Sequence, residues 1–241
     1  MKILYSFCFT FFFMILAIEL VAQYPDLNRT AGRIVLPVGK FVYAGEKKPS
    51  GKGMMVIEAE STKSDLGEWK KIGAGESNYI ENASGKAHLE FLGGTPAGSD
   101  PVSPLEYAFK VPENGNYGLI MQTSKRLEGA RGDLCNDVWV KMSGDFQSAT
   151  NLETTILKDF LKYFQEGSVK TPEKSWHWAW RAEKGKHVFY NLVYKLKKGE
   201  RYILTIAGRS QRFSIDYMVL FDVNRFSFEE AKAKASSTIA N

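Results

Sequence analysis

The segment Ser175-Trp176-His177-Trp178-Ala179-Trp180 carries three indoles at alternate positions. In an extended chain residues two apart project to one face, so the three rings form a single aromatic row. The C–H face of a pyranose ring stacks against such a row, while its hydroxyls need planar polar partners. Trp176 and Trp178 are the members expected to meet a ligand, because Trp180 lies closest to the Lys184-Gly185 turn. The same alternation also describes a buried strand face.

Candidate polar partners lie in two loops. The stretch Ser124–Asp137 holds Arg126, Arg131 and Asn136, and Gly208–Phe213 holds Arg209 and Arg212. Guanidinium forks converging at one end of a fold suit a carboxylate- or sulfate-bearing glycan. Taken singly, each arginine also reads as a solubility charge, and Asn136-Asp137 as turn chemistry. Tyr79 is a further aromatic candidate from an earlier loop.

Enzyme motifs are missing. There is no Gly-x-Ser-x-Gly, no His-Glu-x-x-His and no phosphate loop, and His88, His177 and His187 are too scattered to read as a metal set. An alternative to simple binding is a polysaccharide lyase or glycoside hydrolase on the same scaffold. His177 or a tyrosine would then be the base, beside an arginine that neutralises a uronate. A third reading, a purely structural or adhesive domain, leaves the tryptophan row and the arginine-rich loops without a use.

The elements that must position these residues read as β-structure. Eight β-rich runs bounded by turn signals span residues 55–60, 87–92, 105–111, 117–123, 137–142, 187–196, 202–207 and 214–221. They predict an all-β fold, an antiparallel β-sandwich of the jelly-roll kind. One inserted helix is expected over Asn151–Gln165, where Leu152, Ile156, Leu157, Phe160, Leu161 and Phe164 recur at three- and four-residue spacing. A second short helix is expected over Phe228–Ala235, with the last residues frayed.

The chain has 241 residues, 44% of them apolar and 24% charged, with a net charge of +5, enough for a real core in a single large domain. Its 32 bases and 27 acids are interspersed, so the charge gives no argument for a nucleic-acid partner. Residues 1–22, a lone Lys2 followed by an apolar run, read as a signal peptide cut after Ala22 or Gln23. The protein is then expected outside the cytoplasm, secreted, periplasmic or at the cell surface. The run is too short to span a membrane and no second one follows. After cleavage Cys135 is the one remaining cysteine, so no internal disulfide forms. With no histidine nearby in sequence to activate it, it reads as a small buried hydrophobe. Residues 23–53, rich in proline and glycine, suit a leader or a peripheral hairpin. The domain proper is expected at 54–222 and a tail at 223–241.

Four segments together resemble the β-jelly-roll carbohydrate-binding modules of families 6 and 35. These are Met55-Val56-Ile57-Glu58-Ala59-Glu60, Tyr107…Val111-Pro112-Glu113-Asn114-Gly115-Asn116-Tyr117, Leu196…Gly199-Glu200-Arg201-Tyr202-Ile203-Leu204 and Ser214-Ile215-Asp216-Tyr217-Met218-Val219-Leu220. The resemblance covers residues 54–222. The insertion Asp145–Lys174 is longer than the family's usual one, and Ser214 stands where family 6 modules often carry a sugar-contacting asparagine. The resemblance implies a non-catalytic monomer binding a polysaccharide or oligosaccharide, with the loops between strands lining the cleft.

The resemblance also implies a structural calcium ion held by Glu58, Glu60 and Asp216. Two glutamates two residues apart on a strand share a face, and calcium asks for several hard oxygens at once. Without the resemblance the pair reads first as a solvated strand face.

Overall fold

The computed structural model describes residues 53–185 and 187–239. The expected signal peptide and almost all of the 23–53 segment lie outside the described residues. Among those described, no helix is long and apolar enough to cross a membrane.

Among the described residues, thirteen strands form the fold. They are β1 (Met54–Glu58), β2 (Trp69–Gly73), β3 (Ala87–Phe91), β4 (Val102–Lys110), β5 (Gly115–Lys125), β6 (Asp137–Ser143), β7 (Gln147–Ser148), β8 (Leu161–Gln165), β9 (His177–Glu183), β10 (Phe189–Tyr190), β11 (Val193–Leu196), β12 (Arg201–Gly208) and β13 (Phe213–Asp222). Two α-helices accompany them among the described residues, α1 (Thr154–Leu157) and α2 (Phe228–Ile239). The main hydrogen-bonded path runs β2-β3-β13-β5-β9-β8-β6-β12-β4, with β1 on β13 and β11 on β5. The paired strands are antiparallel throughout. The path folds over at the short β5–β9 pairing, Met121–Thr123 against His177–Ala179. Its two halves then face each other as a sandwich. The Tyr163 hydroxyl of β8 donates to the Leu119 carbonyl of β5 at 2.6 Å, and Tyr107 of β4 donates to the Ala59 carbonyl at 2.7 Å.

Alternation decides which core each residue enters. On β5, Tyr117, Leu119 and Met121 point into the main core, while Ile120 points the other way into a second cluster. On β13, Ile215, Met218 and Leu220 enter the main core, and Tyr217, Val219 and Phe221 enter the second. All of β13 is buried because α2 covers its outer face through Ala231 and Ala235.

The inserted helix is a correction. Only one helical turn, α1, forms, and Leu161–Gln165 is strand β8. Leu161, Tyr163 and Gln165 are buried while Lys162 and Phe164 are half-exposed, a period of two inside a segment whose apolar residues also match a helical spacing. Backbone pairing with β6 on one side and β9 on the other selects the strand. The expected run 187–196 is likewise split, into β10 and β11. The C-terminal helix forms where expected and runs on to Ile239.

Candidate ligand-binding site

The loop from Gly73 to Lys86 closes with a tight turn at Ser84–Lys86, in which Gly85 is left-handed at φ 58°. A side chain there would be strained and its Cβ would lie 3.0 Å from Glu60 Oε1. The turn aims the Ser84 N–H at Asp216, whose two carboxylate oxygens accept it at 3.0 and 3.1 Å. The Ser84 hydroxyl donates to Glu58 Oε1 at 2.5 Å. Burial, and then repulsion from Glu58 and Glu60, push the Asp216 carboxyl up to about 8. Burial, with Glu58 adding, pushes Glu60 up to about 7.

Those three acids are close enough to repel one another, and their hard oxygens suit calcium, as does the buried Glu60 Oε2, which has no hydrogen-bond partner among the described residues. Their placement differs from the expectation, however. Glu58 ends β1 but Glu60 sits in a one-turn 3-10 helix, Ala59–Ser61, so the two do not share a strand face. Among the described residues no three His, Cys, Asp or Glu side chains are gathered as a ready ligand set.

Beside Asp216 lies a cavity of about 480 Å³, lined by Trp176, Gln122, Asn82, Ser84, Asp216 and Tyr217 among others. Trp176 is fixed at its edge, with its indole N–H donating to the Glu81 carbonyl at 2.9 Å and its ring meeting His88 edge-on at 5.5 Å. Tyr79 stacks on the same His88 at 6.0 Å. Burial lowers His88 to about 4, so the imidazole is neutral, and its Nε2 accepts the Ile80 N–H at 3.3 Å. Gln122 Oε1 is buried with no hydrogen-bond partner among the described residues. An indole wall, an orphan amide oxygen and a carboxylate together form an apolar side and an acceptor side, the division a hydroxyl-rich ring requires.

The candidate residues divide among three places. Trp176, Tyr79, Glu58, Glu60 and Asp216 gather around this cavity or its Ser84 and His88 supports. Trp178 and Trp180 share the outer face, as alternation predicts, but pack into the second cluster. Trp178 meets Tyr217 edge-on at 5.9 Å, and Trp180 lies 5.6 Å from Phe228 of α2. The loop arginines form a separate polar end, and no arginine lines the cavity.

Each loop arginine already has an acid. Arg126 binds Glu90 at 2.9 Å and also Glu128, Arg131 binds Asp133 at 2.8 Å, Arg209 binds Asp137 at 2.5 Å, and Arg212 binds Glu128 at 3.0 Å. Asn136 is buried, and its carbonyl accepts the Gln165 N–H at 2.9 Å. Cys135 is fully buried and burial pushes its thiol up. Gln122, Asn82 and Ser84 went unread in the sequence. The available signal was Gln122, a lone amide directly after the apolar run Leu119–Met121 of a strand.

No family model matches the sequence, and no curated protein does. Solved structures do. A mannanase of Podospora anserina that carries a family 35 carbohydrate-binding module matches at 10% identity and a TM-score of 0.40, over 70% of this chain and 28% of its own. The C-terminal family 6 module of a laminarinase from Zobellia galactanivorans matches at 14% identity and 0.38, over 70% of this chain and 99% of its own. A family 35 module from Clostridium thermocellum matches at 15% identity and 0.38, over 70% and 98%. The ligand must be read from this chain's own residues.

Proposed function

We propose that this chain is a non-catalytic carbohydrate-binding protein that seats a sugar residue in the cavity between Trp176 and Asp216. The observation that carries the reading is the cavity's composition. Trp176 offers an immobilised ring for a pyranose C–H face, while Gln122 Oε1 accepts from a hydroxyl and the Asp216 carboxyl group adds a second polar partner. Such a shallow site predicts affinity in the micromolar to millimolar range, about −8 to −4 kcal/mol.

Affinity electrophoresis against plant, algal and animal glycans tests it. The wild-type protein is expected to be retarded by at least one of them, and Trp176→Ala to lose that retardation about tenfold or more, equivalent to roughly 1.4 kcal/mol. Wild-type migration unchanged by every glycan would overturn the reading. Release of new reducing ends would replace it with the degrading-enzyme alternative.

The same region supports a calcium proposal. Glu58, Glu60 and Asp216 would hold the ion, which would offset the repulsion among the three acids and tie β1 to β13 and the Ser84 turn. Addition of calcium to chelator-treated protein is expected to raise the melting temperature by several degrees, following mass-action stabilisation of the folded state. An identical melting temperature with calcium and with chelator rules the ion out.

A further inference from the structure

We propose that the outer face of β8, β9 and β10 carries a second glycan contact, in which the Arg181 guanidinium grips a carboxylate or sulfate group on a sugar. The contact uses none of the residues of the Trp176 cavity.

A β-bulge builds it. In the β8–β9 pairing Phe164 faces Arg181 and Gln165 faces Ala179, so Trp180 is the extra residue opposite nothing. Ala179 and Ala182 both enter the main core, and the two residues between them, Trp180 and Arg181, are both left half-exposed on the outer side. A bulge re-aims side chains in this way and is a recurrent device at binding sites.

The guanidinium is held by rings instead of by an acid. Its central carbon lies 4.7 Å from the Trp180 ring centre and 5.2 Å from that of Phe189. Phe189 in turn meets Phe164 edge-on at 5.7 Å, and the Lys162 ammonium lies over Phe164 at 4.2 Å. Arg126, Arg131, Arg209, Arg212 and Arg225 each have a carboxylate partner. For the Arg181 guanidinium no hydrogen bond or ion pair is found among the described residues. Glu183, two positions along β9, is already taken, with its oxygens accepting from Lys162 at 3.0 Å and from the His187 N–H at 2.7 Å.

Stacking engages the flat faces of a guanidinium and leaves its in-plane N–H donors to a planar anion. That choice of partner follows from charge. An arginine with no acid of its own sits against two rings, one of which, Phe189, is 43% accessible. An exposed ring beside an unpaired fork matches a sugar that has both an apolar ring face and an acidic substituent.

The test uses the full-length protein in affinity electrophoresis with polygalacturonate, dextran sulfate and neutral dextran. The two anionic polymers are expected to retard it, less so as salt rises, and to separate a carboxylate preference from a sulfate one. Arg181→Gln is expected to weaken that retardation about tenfold. Arg181→Lys should fall between the two, since an ammonium keeps the charge but loses the planar fork. Arg201→Gln, an exposed arginine outside both sites, is expected to bind the anionic polymers as wild type does. No retardation of wild type by either anionic polymer overturns the proposal, as does equal retardation of Arg181→Gln and wild type. So does an equal loss in Arg201→Gln, which would mean general charge attraction, or a loss in Trp176→Ala alone, which would leave the cavity as the sole site. Indole fluorescence of the unmutated protein gives a second reading, because an anion at Arg181 must perturb Trp180; a flat titration with anionic oligomers also overturns it.

Discussion

Arg126→Met is expected to lower the free energy of unfolding by about 3–5 kcal/mol, the usual cost of stranding one partner of a buried ion pair. Arg126 and Glu90 keep only 9% and 2% of their side chains exposed, and the Arg126 Nε–H donates to Glu90 Oε1 at 2.9 Å. The same arginine binds Glu128, which also binds Arg212, and Arg212 Nε donates back to the Arg126 carbonyl at 3.1 Å. Deleting the guanidinium leaves the buried Glu90 carboxylate without its closest counter-charge. Adding Glu90→Gln to Arg126→Met removes that charge and is expected to bring stability back to within about 2 kcal/mol of wild type. Denaturant unfolding of the two single variants and the double variant gives the three numbers. A single variant that loses less than about 1 kcal/mol, well short of a buried pair, while losing glycan binding would make Arg126 a ligand contact, as the sequence reading had it.

Gly208→Ala is expected to cost about 3 kcal/mol, the upper end of what overpacking a core takes. A methyl group on Gly208 would fall 2.1 to 2.4 Å from three atoms of the Phe91 ring. That ring is 0% exposed and packs at 5.2 Å against Trp69, so it has no open space to move into. Gly208 lies just past the register shift at the end of β12, where the strand must come close to β3. Phe91→Leu on its own should also destabilise, by about 1 kcal/mol as expected for a hydrophobic swap that loses some volume. The double variant should be less destabilised than the sum of the singles, by about 1 kcal/mol or more. Additive losses would show that the glycine is needed for something other than room for the ring.

The all-β class, the antiparallel sandwich and most of the long strands were legible in the sequence because period-two patterning and turn residues are local signals, whereas the short β2 and β7 gave no such signal. Met54–Glu58, Ala87–Phe91, Gly115–Lys125, Asp137–Ser143, Arg201–Gly208 and Phe213–Asp222 all fall where alternation placed them. The single face of Trp176, Trp178 and Trp180 was legible for the same reason.

What covers that face was not. Alternation says that residues share a side of a strand but not which neighbour arrives there, and α2 arrives from more than forty residues further along the chain, packing on Trp178 and Trp180 and leaving Trp176 beside the cavity. The arginine loops had the same gap. Sequence placed Arg126 and Arg209 in loops, while their partners, Glu90 on β3 and Asp137 on β6, come from distant strands. Leu161–Gln165 was misread because its apolar residues satisfy both a helical and an alternating spacing, and only the free edges of β6 and β9 choose between them. A local period is a property of a few residues, whereas a charge partner, a covering helix or an occupied sheet edge belongs to segments brought together by folding, so only the tertiary structure could decide them.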